Sequence, residues 1–444
     1  MPLTLWKMSE FEHRSIWREA VELKEFPTLS GNSETDVLII GGGMAGILTA
    51  YMLKDAGVEC ILVEADRICR GTTGNTTAKL TFAHGLIYDK LIRTYGLGAA
   101  RLYLDMQKRA LNTYAALSER IPCDYEKRTS YVYSLSSGKR IAREVEALWR
   151  LGVGADFVNT PELPFATAGA VAVEDQGQFN PLKFILGITE GLPIYENTRV
   201  REFLPGEVLT DSGRIKYKRA VVATHFPILN KHGSYFLKMY QHRSYVIALK
   251  GAPAIDGMYV DESHSGLSFR SSGELLLLGG GGHRTGKQGG CWGELEAFAA
   301  EHYEGAEVVA RWAAQDCMTL DCMPYVGKYS KRCEGLFVAT GFNKWGMSSS
   351  MAAASLLRDL ITHRESRYSA LLSPSRSILH PQLAVNAAES IVNLLTPTAP
   401  RCPHLGCALK YNAAEHSWDC PCHGSRFSAD GELLDGPANR GSEE

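Results

Sequence analysis

Asp36-Val-Leu-Ile-Ile40-Gly41-Gly-Gly43-Met-Ala-Gly46, followed by Cys60-Ile-Leu-Val63-Glu64-Ala65, reads as an apolar strand, a glycine turn, a helix reaching Lys54 and a second apolar strand. Such a βαβ unit predicts a parallel sheet. Gly41, Gly43 and Gly46 spell G-x-G-x-x-G between strand and helix, where missing side chains let backbone approach a pyrophosphate at the helix N-terminus. Glu64 closes the next strand about 20 residues on, the place of a carboxylate that binds a ribose hydroxyl. A ligandless glycine turn is the alternative, and the strand and helix on either side argue against it. The same run, 37–53, is apolar enough to suggest a membrane span, but three consecutive glycines fit a turn better.

The chain has 444 residues, 45% of them hydrophobic, 22% charged and 9% aromatic, so two or three globular domains are expected. A formal charge of −2 gives no general attraction to nucleic acid. Lys7, Glu10, Glu12, Arg14 and Glu19 interrupt the N-terminal stretch too often for an export signal, and a cytoplasmic location is expected. Beyond the first unit, 86–120 and 139–151 have helical character, and 240–249, 257–260, 267–269 and 274–278 have strand character. Residues 335–341 return to an apolar strand ending in glycine, 348–360 form an Ala-rich helix, and 382–395 a further helix before a Pro-rich linker.

Eleven cysteines are unevenly spread. Cys60, Cys69, Cys123, Cys291, Cys317, Cys322 and Cys333 are scattered and read mostly as small buried hydrophobes, whereas four lie between positions 402 and 422. There Cys402-Pro-His404 and Cys420-Pro-Cys422-His423 give C-x-H, fifteen intervening residues and C-x-x-H, so each of two loops offers one thiolate and one imidazole. Two cysteines on one iron and two histidines on the other is the Rieske [2Fe–2S] pattern. Zinc is the competing ion for a Cys₂His₂ set, but its knuckles usually pair like ligands.

The strings 402–407 and 418–425 resemble the Rieske proteins of cytochrome bc complexes, which assigns Cys402, His404, Cys420 and His423 as cluster ligands. The resemblance also implies a Cys407–Cys422 disulfide, with two free thiols as the alternative in a reducing compartment. Ser425 stands where that family places a hydroxyl toward a bridging sulfide, and Phe427 stands in the place of a tyrosine, which implies a lower potential. The module begins only a few residues before Cys402 and cannot bury much core. Its loops are expected to lean on the rest of the chain, on the 382–395 helix or on another subunit.

Gly71-Thr-Thr-Gly-Asn-Thr-Thr-Ala-Lys79 resembles the segment under the flavin in the D-amino-acid-oxidase and glycine-oxidase fold. Val200, the motif ending in Ala223 and Thr224, and Gly341-Phe-Asn-Lys-Trp-Gly346-Met347 are similar to later nucleotide and isoalloxazine motifs of that fold. The resemblance implies FAD held by Gly41, Gly43, Gly46, Glu64, Ala65, Gly71, Thr72, Thr73, Asn75, Thr76, Thr77, Val200, Ala223, Thr224, Gly341, Phe342, Lys344, Trp345, Gly346 and Met347. A Thr-rich solvent loop is the plainer reading of 71–77. Lys344 is also placed to set a positive charge against reduced flavin.

The expected fold is an α/β FAD-binding domain of the glutathione-reductase-like Rossmann type, an α+β substrate lobe and a small, truncated all-β Rieske module. The expected partition is an extension at 1–35, a discontinuous FAD domain at 36–85, 165–235 and 317–366, a substrate lobe at 86–164 and 236–316, a helical linker at 367–398 and the Rieske module at 399–444.

The whole arrangement is similar to bacterial FAD-dependent oxidoreductases carrying a C-terminal Rieske module. It implies an enzyme that takes hydride from a C–N substrate, an amine or amino acid, and passes electrons singly through the cluster to an acceptor protein. Reverse flow, with a donor protein reducing an imine, is one alternative; a non-enzymatic redox sensor or carrier is the other. Homo-oligomerisation is compatible with either. Among substrate-side residues, Arg243, Arg270 and Arg284 are candidates to clamp a carboxylate, and His84, His225, His242 and His283 are candidate acid/base groups. His84 and Arg270 are preferred, with Lys344 as the third catalytic candidate.

Overall fold

The computed structural model describes residues 13–159, 162–229, 232–263, 266–397 and 400–442. Val37–Ile40 is apolar on both faces because it is buried on both faces, the signature of a central parallel strand. Ser33–Ile40 pairs in parallel with Cys60–Val63 on one side and with Gly213–Val222 on the other. Leu336–Thr340 and Ile194–Tyr195 extend the sheet outward, and Tyr325–Lys328 makes an antiparallel edge. Val200–Leu204 and Glu207–Thr210 complete its eight strands. Helix Met44–Asp55 follows the glycine turn, and a Cβ on Gly46 would sit 1.9 Å from the Gly41 carbonyl oxygen, so only glycine lets helix and strand meet there.

A second, nine-stranded sheet runs in the order Glu307–Thr319, Met239–Lys250, Leu275–Arg284, Ser268–Ser272, Met258–Asp261, Glu126–Ser134, Gly169–Gln178 and Lys79–Leu80, with Asp156–Val158 beside Gly169–Gln178. The partition expected from sequence puts 169–178 with the nucleotide domain, but that strand pairs with Glu126–Ser134 in the second sheet. Its alternating and continuous apolar stretches suit either sheet, so pairing was not readable locally. The segment expected to be helical at 86–120 is Ile87–Ser118, broken at Gly96.

The extension is more than a frayed end where it is described. Trp17 is buried, and its indole N–H donates to the Thr76 carbonyl at 2.7 Å. The part of the extension at 1–12 lies outside the described residues.

The C-terminal module is a four-stranded sheet, Lys410–Asn412, Ser417–Asp419, Arg426–Phe427 and Leu433–Asp435. Its apolar core consists of little more than four cysteines, Leu409, Phe427 and Ala438. So small a core gains from docking. It leans both on helix Pro381–Leu395, where Ala408 N–H donates to the Asn393 carbonyl at 3.0 Å, and on the second sheet.

Candidate functional site

A cavity of about 1160 Å³ lies where the two large sheets and the C-terminal module meet. All the residues expected to hold the nucleotide line it except Gly46 and Gly341, which shape the backbone behind its wall. The loop 71–77 is fixed to the glycine turn, because Met44 N–H donates to Thr73 Oγ1 at 2.9 Å. The loop carbonyls are engaged from behind by Trp17 at Thr76, by Trp312 at Asn75 and by Arg270 at Thr77. Glu64 Oε2 accepts from Gly42 N–H at 2.7 Å and Oε1 from Asp66 N–H at 3.0 Å. Burial raises the Glu64 carboxyl, while these amides favour its charged form. Anchored hydroxyls, amides and one carboxylate make a wall suited to a phosphorylated, ribose-containing cofactor.

Arg270 does not line the cavity. Its Nη1 donates to the Thr77 and Ala78 carbonyls at 2.8 and 3.0 Å, and its guanidinium lies over Trp17. The geometry therefore corrects its expected role from substrate clamp to support of the cofactor loop. Arg284 donates to Asn386 Oδ1 at 3.1 Å and covers Tyr240, away from the cavity. Arg243 does reach the cavity, but Glu415 of the C-terminal module accepts from it. His242 and His283 are buried off the wall, whereas His225 is on it.

His84 lines the cavity with both ring nitrogens engaged. Nε2 lies 2.8 Å from the Thr81 carbonyl and must donate to it, so Nδ1, 2.7 Å from Tyr103 Oη, accepts the phenol proton. Burial lowers this imidazole to about 3. It stacks on Trp345 at 4.9 Å, so its geometric effect is to orient that ring. Lys344 also lines the cavity; burial lowers its ammonium to about 8 against the opposing pull of Asp316.

The two cluster loops are tied by the Cys407–Cys422 disulfide, with Cα atoms 6.7 Å apart. Cys420 Sγ lies within 4.8 Å of both disulfide sulfurs and contacts the Cys402 thiol. That contact is the largest influence holding the Cys402 thiol below its ordinary value. His404 Nδ1 and His423 Nδ1 face each other at 3.3 Å. Burial lowers these imidazoles to about 4 and about 3, so they meet as neutral rings, the form that binds metal. Two thiols and two neutral imidazoles from two cross-linked loops fit a mixed-ligand [2Fe–2S] cluster.

The two sites share a wall, and the residue that joins them is one sequence reasoning missed. Gln315 accepts from Thr72 Oγ1 at its backbone oxygen, 2.9 Å away, and its Nε2 donates to the Gly424 carbonyl at 2.8 Å. A Cβ on Gly424 would fall 2.2 Å from Gln241 Cγ, so the cluster loop is pressed against the second sheet. Phe226, at the end of the segment that carries Ala223 and Thr224, packs against both His404 and His423. Lys79 was also missed: it lines the cavity, and burial lowers its ammonium to about 7.

Fold and sites together define a two-cofactor redox enzyme, with FAD and a Rieske [2Fe–2S] cluster as cofactors. The chain belongs to the FAD dependent oxidoreductase family, whose match spans residues 36–360, and a Rieske [2Fe-2S] domain matches residues 382–443. It is 34% identical to a putative Rieske 2Fe-2S iron-sulfur protein, YhfW, of Bacillus subtilis (strain 168), over 96% of both chains. It is 23% identical to a gamma-glutamylputrescine oxidoreductase of Escherichia coli (strain K12), over 81% of this chain and 91% of that one. Among solved structures, glycine oxidase from Geobacillus kaustophilus matches with a TM-score of 0.66 at 21% identity, covering 78% of this chain and all of its own. At that identity the likeness is one of fold. Among the described residues no helix is long and apolar enough to cross a membrane.

Proposed function

We propose that the protein oxidises a small amine or amino acid at the carbon next to nitrogen and hands the electrons on singly to a partner protein. When bound, FAD supplies a two-electron acceptor and the [2Fe–2S] cluster a one-electron one. The observation that carries the reading is the shared wall, in which Gln315 bonds both Thr72 of the cofactor loop and Gly424 of the cluster loop. The names of the gamma-glutamylputrescine and glycine-oxidising relatives support a C–N substrate.

Cys402, His404, Cys420 and His423 hold the cluster in this reading, and the residues lining the cavity hold FAD. Beyond them the cavity continues along Tyr245, Val246, Ser268 and Gly279 of the second sheet, which leaves a substrate compartment with mixed polar and apolar walls. His84 holds Trp345 in place. Lys344 provides the charge that favours electrons on the cofactor and carries a proton that it loses at about pH 8.

Anaerobic addition of a panel of small amines and amino acids, with flavin and cluster bands followed separately, tests the reading. At least one compound is expected to bleach the flavin and then the cluster with no other reductant present. If none does so while dithionite reduces both, the reading fails.

A further inference from the structure

We infer that the Rieske module is the closing wall of the FAD cavity, so that this iron–sulfur domain also retains the flavin. The inference rests on the two cofactors and not on the direction of electron flow. Leu433, Leu434, Asp435, Gly436, Ala438 and Asn439, all from the module's last strand and the turn after it, line the same cavity as the glycine turn.

Two observations make this wall a built feature. The first is a reciprocal tie: the Arg201 guanidinium donates to the Asn439 carbonyl, and Asn439 Nδ2 donates back to the Arg201 carbonyl at 3.4 Å. Arg201 follows Val200, which lines the cavity from the nucleotide sheet, and Asp211 fixes the same guanidinium through contacts of 2.6 and 3.0 Å. The second is Leu434, an apolar side chain that is 54% exposed although it belongs to the cavity wall. An exposed leucine on a cavity wall suits the flat face of a bound ring, which would remove it from water.

The wall is also coupled to the cluster loops. Ala438 N–H donates to Ser425 Oγ at 3.2 Å, and a Cβ on Gly436 would meet Ser425 Cα at 2.5 Å, so the turn 436–439 is seated directly on the second cluster loop. Glu415, bonded by Arg243 of the second sheet and Arg426 of the module, holds the other side of the same contact. Opening of this wall is therefore expected to speed the release of FAD.

The test compares FAD release from the holoprotein with release from a Leu434→Ala, Asn439→Ala double variant. Both side chains are exposed on the surface of the module, and iron content and visible circular dichroism report an intact cluster. The rise of free-flavin fluorescence after dilution is expected to be about tenfold faster in the double variant. Leu379→Ala, a more exposed leucine off the cavity, serves as control and is expected to leave release unchanged. Release from the double variant at the holoprotein rate, or an equal acceleration in the control, overturns the inference.

Discussion

The cluster site draws its donors from one short stretch, Cys402 to His423, whereas the nucleotide cavity takes its walls from segments between Arg18 and Ser350 and from the module itself. The first is held by a disulfide and metal-type ligands over a very small core; the second is a gap between two large sheets with extensive cores. The module compensates for its size by docking, and docking puts polar contacts where an ordinary domain has apolar ones. Glu415 is the clearest case, accepting from Arg243 and Arg426 while mostly buried.

If that contact is what distinguishes the docked module from a free one, Glu415→Ala should have the largest effect. Removing one partner of a buried pair leaves uncompensated charge and costs about 3–5 kcal/mol. The expected outcome is a C-terminal module that unfolds or is proteolysed before the rest of the chain, read by protease cleavage near position 400. Simultaneous melting with the rest would remove Glu415 from the docking account. The pH dependence has a definite sign. Burial by itself pushes the Glu415 carboxyl up, but the two arginines outweigh it and hold it at about 2, below its ordinary 4.5. Its contribution is present above the ordinary value and is lost as pH falls from about 4.5 toward about 2.

Lys344 sharpens the comparison from the flavin side. Lys344→Met removes a cation from the cavity, worth about 2 kcal/mol as a charge-assisted contact. That corresponds to about 40 mV of lowered midpoint potential for a two-electron couple. The unsubstituted flavin potential should also fall more steeply as pH rises through about 8, where Lys344 loses its proton, and the variant should lack that break. Redox titration across the pH range measures both; a break that survives the substitution belongs to another group.

The smallest effect is expected within the cluster loops. Phe427 is fully buried in the module core, and Phe427→Tyr adds a hydroxyl where a ligand sulfur is the natural acceptor. One hydrogen bond of about 1 kcal/mol raises a one-electron potential by about 40 mV. An unchanged potential with an intact cluster spectrum would show that the hydroxyl finds another acceptor.

Legibility in the sequence follows the same contrast. The glycine turn and the C-x-H and C-x-x-H loops could be read because their chemistry depends on neighbours within a few residues. Arg270, expected to clamp a substrate carboxylate, lies off the cavity, and nothing local reveals that Trp17 and the Thr77 carbonyl enclose it. The partners of His84 were equally illegible: its identity suggests a base, while Thr81 and Ser348 at Nε2 and Tyr103 at Nδ1 engage both nitrogens. Gln315 carried no signal at all, since its importance lies in contacts 243 residues back and 109 residues forward.

The central claim is that the two cofactors exchange electrons inside one chain. Rapid anaerobic mixing of the oxidised protein with a reductant that reaches only the flavin, followed at the cluster's visible band, measures this directly. The account predicts that the cluster is reduced in a first-order phase whose rate does not change with protein concentration. A cluster that stays oxidised, or a rate that rises in proportion to protein concentration, would contradict it.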